Sequence, residues 1–168
     1  GEPHVLDFGL SKITAPDDPG GPRGRTVTET GQFVGSLPWA SPEQAEGASG
    51  EIDVRTDVYS LGLVLFQALT GYFPYEVTGS LRDVLDNILN ATPLKPSALR
   101  PDIASDVDTI VLKCLSKERE RRYQTAGEVG LELERFIRGE PILAHPPSAM
   151  YFLKKFARDH QRAPKSVA

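Results

Sequence analysis

Three observations predict a mainly α-helical fold. Four stretches between Thr56 and Ile137 repeat their apolar residues at three- and four-residue intervals, the spacing of one helix face. Gly71, the Pro-rich run from Thr92 to Pro101, and Gly139-Glu140-Pro141 punctuate those stretches. A short strand-like piece, Val5-Leu6, precedes the tight turn Asp7-Phe8-Gly9.

In chain order, the turn is followed by a long loop. Asp17 to Arg25 is rich in turn formers and lacks the apolar residues that a packed element needs. From Thr56, the residues Val58, Leu61, Leu63, Val64, Leu65, Phe66, Ala68 and Leu69 leave no wide polar face, which predicts a helix buried on all sides. Thr56 or Asp57 can cap its start and Gly71 its end. Leu81, Val84, Leu85 and Ile88 mark a short amphipathic helix, and the Pro-rich run after it is a connector. A further helix starts near Ser105, with Val107, Ile110, Val111, Cys114 and Leu115 on one stripe. Thr125 and Glu128 have capping-box spacing, and Val129, Leu133, Phe136 and Ile137 form the expected buried face of the next helix. Beyond Pro146-Pro147, an amphipathic segment sets Phe152, Leu153 and Phe156 against Lys154, Lys155 and Arg158.

Composition narrows the function classes. The 168 residues are 39% hydrophobic and 25% charged, enough for one globular core. A net charge of -4 gives no case for a nucleic-acid partner. The end from Tyr151 to Ala168 is nevertheless basic, at net +4, which leaves -8 for the rest. The single cysteine, Cys114, excludes an internal disulfide, fits a reducing compartment and reads as buried filler. His4, His145 and His160 are too scattered for a metal site. No apolar run approaches the roughly 18 residues of a membrane span.

The motifs carry a sharper signal. Leu6-Asp7-Phe8-Gly9-Leu10 and, 32 residues after Gly9, Ser41-Pro42-Glu43 bracket a loop rich in Thr and Gly. Gly35-Ser36-Leu37-Pro38-Trp39-Ala40-Ser41-Pro42-Glu43-Gln44 lies at the far end of that loop, Asp57-Val58-Tyr59-Ser60-Leu61-Gly62 opens the apolar helix, and Leu112 to Ala126 holds Arg122. In this order and spacing, the chain resembles bacterial Ser/Thr protein kinases of the eukaryotic-like type over about residues 3 to 139.

That resemblance implies the C-terminal, helical lobe of the kinase fold, with an activation segment over 7–43, a helical core over 56–139 and a basic extension over 140–168. It implies phosphoryl transfer from ATP to a protein Ser or Thr, with Mg²⁺ as the metal. Asp7 resembles the Mg²⁺ ligand, and Phe8 and Gly9 the turn that presents it. Gly35, Ser36, Leu37 and Trp39 resemble the substrate-site loop, Ser36 replacing a usual Thr that contacts the catalytic base. Thr28 and Thr30 match activating phosphosites, with Arg23 and Arg25 nearby. Glu43 and Arg122 resemble the ion pair that pins the segment to the core, and Asp57 the carboxylate that accepts backbone N–H groups of the catalytic loop. Two departures are Ser41 for a usual Ala and Arg119 for a usual Pro.

The phosphate-covering Gly-rich loop, the Val-Ala-Ile-Lys strand and the His-Arg-Asp loop with the catalytic base are not among these residues. The N-lobe is therefore an expected partner, and the chain alone is expected to be inactive. Gly1 in place of Met suggests a longer parent, expected to be cytoplasmic in its kinase part, with the basic tail leading to a membrane anchor. A pseudokinase or kinase-remnant scaffold is the alternative reading, and the sequence upstream of Gly1 separates the two.

Overall fold

A computed structural model describes residues 37–145. Asp7, Phe8, Gly9, Thr28, Thr30, Gly35, Ser36 and the basic end from residue 146 lie outside the described residues. Among the described residues all regular structure is helical and no strand occurs, as the apolar spacing predicts.

Leu37–Trp39 forms a 3₁₀ turn that leads into α1, Pro42–Ala45. Ser41 and Gln44 cap each other reciprocally: the Gln44 N–H donates to Ser41 Oγ at 3.3 Å and the Ser41 N–H to Gln44 Oε1 at 2.9 Å. Pro42 at the first helical position gives up no hydrogen bond there.

The longest helix, α2 (Val54–Thr70), starts earlier than the expected cap at Thr56 or Asp57. Asp53 is the cap, because its carboxylate accepts the Arg55 N–H at 2.8 Å, while the Thr56 hydroxyl is drawn off to Glu43. Gly71 ends the helix with a φ of 81°, a left-handed conformation that favours glycine. Nor is α2 buried on all sides. Val58, Tyr59, Gly62, Leu63 and Phe66 face the core, but Asp57, Val64 and Ala68 lie on an exposed line at helical spacing.

α3 (Leu81–Asn90) carries a Ser80–Asp83 capping box and buries Val84 and Ile88. The Pro-rich connector contains one short helix, α4 (Pro96–Leu99). The buried Asp108 tethers it by accepting from the Ser97 N–H at 2.9 Å and from the Ser97 hydroxyl. Asp108 belongs to α5 (Ser105–Cys114), whose Val107, Ile110, Val111 and Cys114 are buried.

α6 (Ala126–Ile137) is capped by Thr125 through the Glu128 N–H. Glu128 does not close the expected box on the cap residue; its carboxylate accepts the N–H of Gln124, one residue earlier, at 2.9 Å. The inward stripe of α6 is Val129, Glu132, Leu133 and Phe136, whereas Ile137 is 79% exposed, being turned about 100° from Phe136.

Two apolar clusters hold these helices together. The first joins Leu37 and Ala40 to Tyr59, Leu63 and Phe66 of α2, Val84 and Ile88 of α3, and Val107 and Val111 of α5. The second joins Val58, Ile110, Cys114, Tyr123 and Val129 to Ile142, beyond α6. Glu132 secures that return: its carboxylate accepts the N–H groups of Leu143 and Ala144 at 2.8 and 2.7 Å and the Tyr123 hydroxyl at 3.3 Å. Sequence spacing gave no hint of an inward acid on this helix, because its partners are backbone groups from a different part of the chain.

Candidate functional site

The segment that enters α1 is held from below. Leu37 and Ala40 are buried in the first cluster, and the Ala40 N–H donates to the Leu37 carbonyl at 2.9 Å. Between them, half-buried Trp39 stands edge-on to Phe73, with ring centroids 4.9 Å apart and planes at 66°. Two aromatic rings thus fix the path of this turn.

Glu43 then points inward from the first turn of α1 and meets Arg122, 79 residues away, in a bidentate pair with both N–O distances at 2.8 Å. Both residues are buried, at 3% and 2% exposure. A buried guanidinium needs partners for all five of its N–H groups. Here the two carboxylate oxygens take two, and the carbonyls of Ser116, Arg55 and Lys117 take the others at 2.8, 3.1 and 2.9 Å. Glu43 gains a third donor in the Thr56 hydroxyl at 2.8 Å. Burial pushes the Glu43 carboxyl up, but bonds from Arg122, its own backbone and Thr56, with the guanidinium charge, outweigh burial and hold it at about 2.

The pair is enclosed by aromatic surface. Arg122 Cζ lies 4.8 Å from the centroid of Tyr59, whose hydroxyl is 3.0 Å from that of Tyr75. Burial pushes both phenols up. Lys117 Nζ lies 4.5 Å from the Tyr75 centroid. The motif stretches contain Tyr59 and Lys117 but not Tyr75, and nothing in their local spacing ties any of the three to Glu43.

Arg119 does not weaken the loop that carries Arg122. It pairs with Glu51 at 2.9 Å and reaches Asp53 at 3.4 Å, so it joins the loop to the start of α2 from the surface. Asp57 is exposed on α2, and its carboxylate makes no hydrogen bond or ion pair among the described residues. The structure therefore brings Glu43 and Arg122 together, places Leu37 and Trp39 on the turn they support, and leaves Asp57 apart from them. Among the described residues no group of three or more His, Cys, Asp or Glu could hold a metal ion, and Asp7 lies outside them.

A family model described as the protein kinase domain matches residues 1–129. The chain belongs to the protein kinase domain family. Serine/threonine-protein kinase PknB of Mycobacterium tuberculosis (strain ATCC 25618 / H37Rv) is 39% identical over 137 residues, which are 82% of this chain and 20% of that protein. PknB of Mycolicibacterium smegmatis is 38% identical over 136 residues, 81% of this chain and 20% of its own length. A probable serine/threonine-protein kinase of Streptomyces coelicolor is 35% identical over 142 residues, 84% of this chain and 20% of that relative. The chain spans about a fifth of the length of these curated relatives. Protein kinases as a family use ATP and Mg²⁺ and act on protein substrates. The helices of residues 37–145 are the helical lobe of that fold. No helix among the described residues is long and apolar enough to cross a membrane.

Proposed function

We propose that this chain is the substrate platform of a Ser/Thr protein kinase, within a protein that transfers the γ-phosphoryl group of ATP to a protein hydroxyl. The observation that carries this reading is the buried, bidentate Glu43–Arg122 pair beneath the turn Leu37–Trp39, in a chain of the protein kinase family. Phosphoryl transfer depends on positioning and electrostatics, so a rigid floor under the acceptor peptide is what a helical lobe has to supply.

In this reading the substrate-site loop of Gly35, Ser36, Leu37 and Trp39 holds the acceptor segment in line, and Ser36 offers a hydroxyl to the catalytic base. Asp7, on the Phe8-Gly9 turn, would hold Mg²⁺, which when bound neutralises charge between the phosphates. Thr28 and Thr30 accept the activating phosphate, and Arg23 and Arg25 can pair with it. Asp57 would accept backbone N–H groups of the catalytic loop, and the exposed line from it through Val64 and Ala68 on α2 supports that reading. The basic segment after residue 146 would lie beside anionic lipid, ahead of a membrane anchor in the parent.

Incubating the full-length parent with labelled ATP and a protein acceptor tests this directly. Phosphoserine or phosphothreonine should form, and Asp7→Asn should abolish it while leaving the fold intact. An unaltered rate in Asp7→Asn, or no transfer by the folded parent under activating phosphorylation, contradicts the reading.

A further inference from the structure

Lys117 is a half-buried lysine whose ammonium meets no carboxylate of the described residues within ion-pair distance. Its Nζ donates to the carbonyls of Ile88 and Asn87, the latter at 3.3 Å, and approaches the Tyr59 hydroxyl at 3.5 Å. Those two carbonyls belong to the last turn of α3; that of Asn87 also accepts the Ala91 N–H at 3.1 Å, and the Lys117 ammonium gives that of Ile88 a donor. The stem of the residue is equally committed. The Lys117 backbone carbonyl accepts an N–H of Arg122 at 2.9 Å, so one residue grips α3 by its side chain and the Glu43 anchor by its main chain. Tyr75 and Tyr59 complete the connection, with the ammonium 4.5 and 6.0 Å from their centroids and their hydroxyls 3.0 Å apart. α3 also packs on α1, and Val84 and Ile88 share the first cluster with Leu37 and Ala40.

We propose that Lys117 is a positioning residue that couples the C-terminal end of α3 to the Glu43–Arg122 anchor, so that α3 and the segment 37–45 tighten or loosen together. The groups facing Nζ are the Arg122 guanidinium from its own loop, Tyr59 from α2, Tyr75 from the α2–α3 connection and the two carbonyls of α3. Burial first, and the Arg122 charge second, pull the ammonium down to about 8. A neutral amine keeps two N–H donors for Ile88 and Asn87 and loses the desolvation penalty, so the coupling strengthens as pH rises through 8. The coupling is a property of the packing and stands whether or not the parent transfers phosphate.

Amide hydrogen exchange on the 168-residue chain reads it. Lys117→Met should speed exchange at Ala91, beyond α3, and at Ala45, Glu46 and Ala48, which bond within and after α1, by at least about tenfold. Exchange at Arg138, which closes α6, should not change. In the wild-type chain, protection at Ala45, Glu46 and Ala91 should rise together between pH 7 and 9 once intrinsic rates are divided out, and Lys117→Arg should abolish that rise. Acceleration confined to Ala91 would make Lys117 a local cap, and equal acceleration at Arg138 would make it general support; either overturns the proposal. If Lys117→Met does not fold, the wild-type pH series decides, and protection at Ala45 and Ala91 that fails to move together overturns it.

Discussion

Gly62 of α2 packs tightly on Cys114 of α5: a Cβ built on Gly62 would stand 2.7 Å from Cys114 Cβ and 3.1 Å from Leu115 Cδ2. No other residue type fits that contact without moving a helix, since Cys114 Cβ is fixed to the backbone.

Gly62→Ala should therefore destabilise the chain. Overpacking of this kind costs about 1 to 3 kcal/mol, while alanine returns up to roughly 1 kcal/mol of helix propensity. A net loss is expected in denaturant titration, with a smaller loss for Gly62→Ala in a Cys114→Gly background than in the wild type. Simple additivity of the two changes would show that the contact is not tight.

Glu43 makes stability fall in acid. Its carboxyl sits at about 2 in the folded chain against 4.5 for the free group, so its contribution is present in full above pH 4.5 and is lost as pH falls toward 2. The loss amounts to about 3 kcal/mol for a shift of this size. Unfolding free energies at pH 6 and pH 3 should converge between wild type and Glu43→Gln, and a constant difference across that range would remove Glu43 as the source.

At alkaline pH two groups oppose each other. Lys117 titrates at about 8 folded and near 10.5 free, so the unfolded chain binds more protons between those values and stability rises with pH. Cys114, pushed by burial from 9 to about 12, keeps its proton in the folded chain after the unfolded chain has lost it, so stability falls above pH 9. Between pH 7.5 and 9 a gain of at most about 1 kcal/mol is expected, reduced by the partial exposure of Lys117. Lys117→Met should remove the gain and Cys114→Ala the later loss, as read by chemical denaturation at each pH.

Much of the helical lobe was legible because its signals are local. The stripes of α3 and α5, the Thr125 cap and the Gly71 stop follow from residues within one or two turns of each other. Sequence reading failed where the partner lay far away. The Asp53 cap displaced Thr56 because Glu43, 13 residues earlier, takes the Thr56 hydroxyl. Ile137 is exposed and Glu132 buried because the returning segment of residues 141–145 brings N–H groups to α6. The exposed line on α2 could not be read from hydrophobicity, since Val64 is as apolar as its buried neighbours. Within the site, motif order singled out Glu43 and Arg122, but the three carbonyls around Arg122 and the Tyr59, Tyr75 and Lys117 cluster depend on tertiary packing.

The account rests most heavily on the Glu43–Arg122 anchor, and unfolding of Arg122→Ala in urea measures it directly. Removal of one partner leaves a buried carboxylate unpaired, and a loss of about 3 to 5 kcal/mol is predicted, against at most about 1 for an exposed pair. The charge-reversed double variant Glu43→Arg with Arg122→Glu should recover little of that loss, because a carboxylate at position 122 would face the carbonyls of Ser116, Arg55 and Lys117. An unfolding midpoint for Arg122→Ala equal to that of the wild type, or full recovery by the reversed pair, would contradict the account.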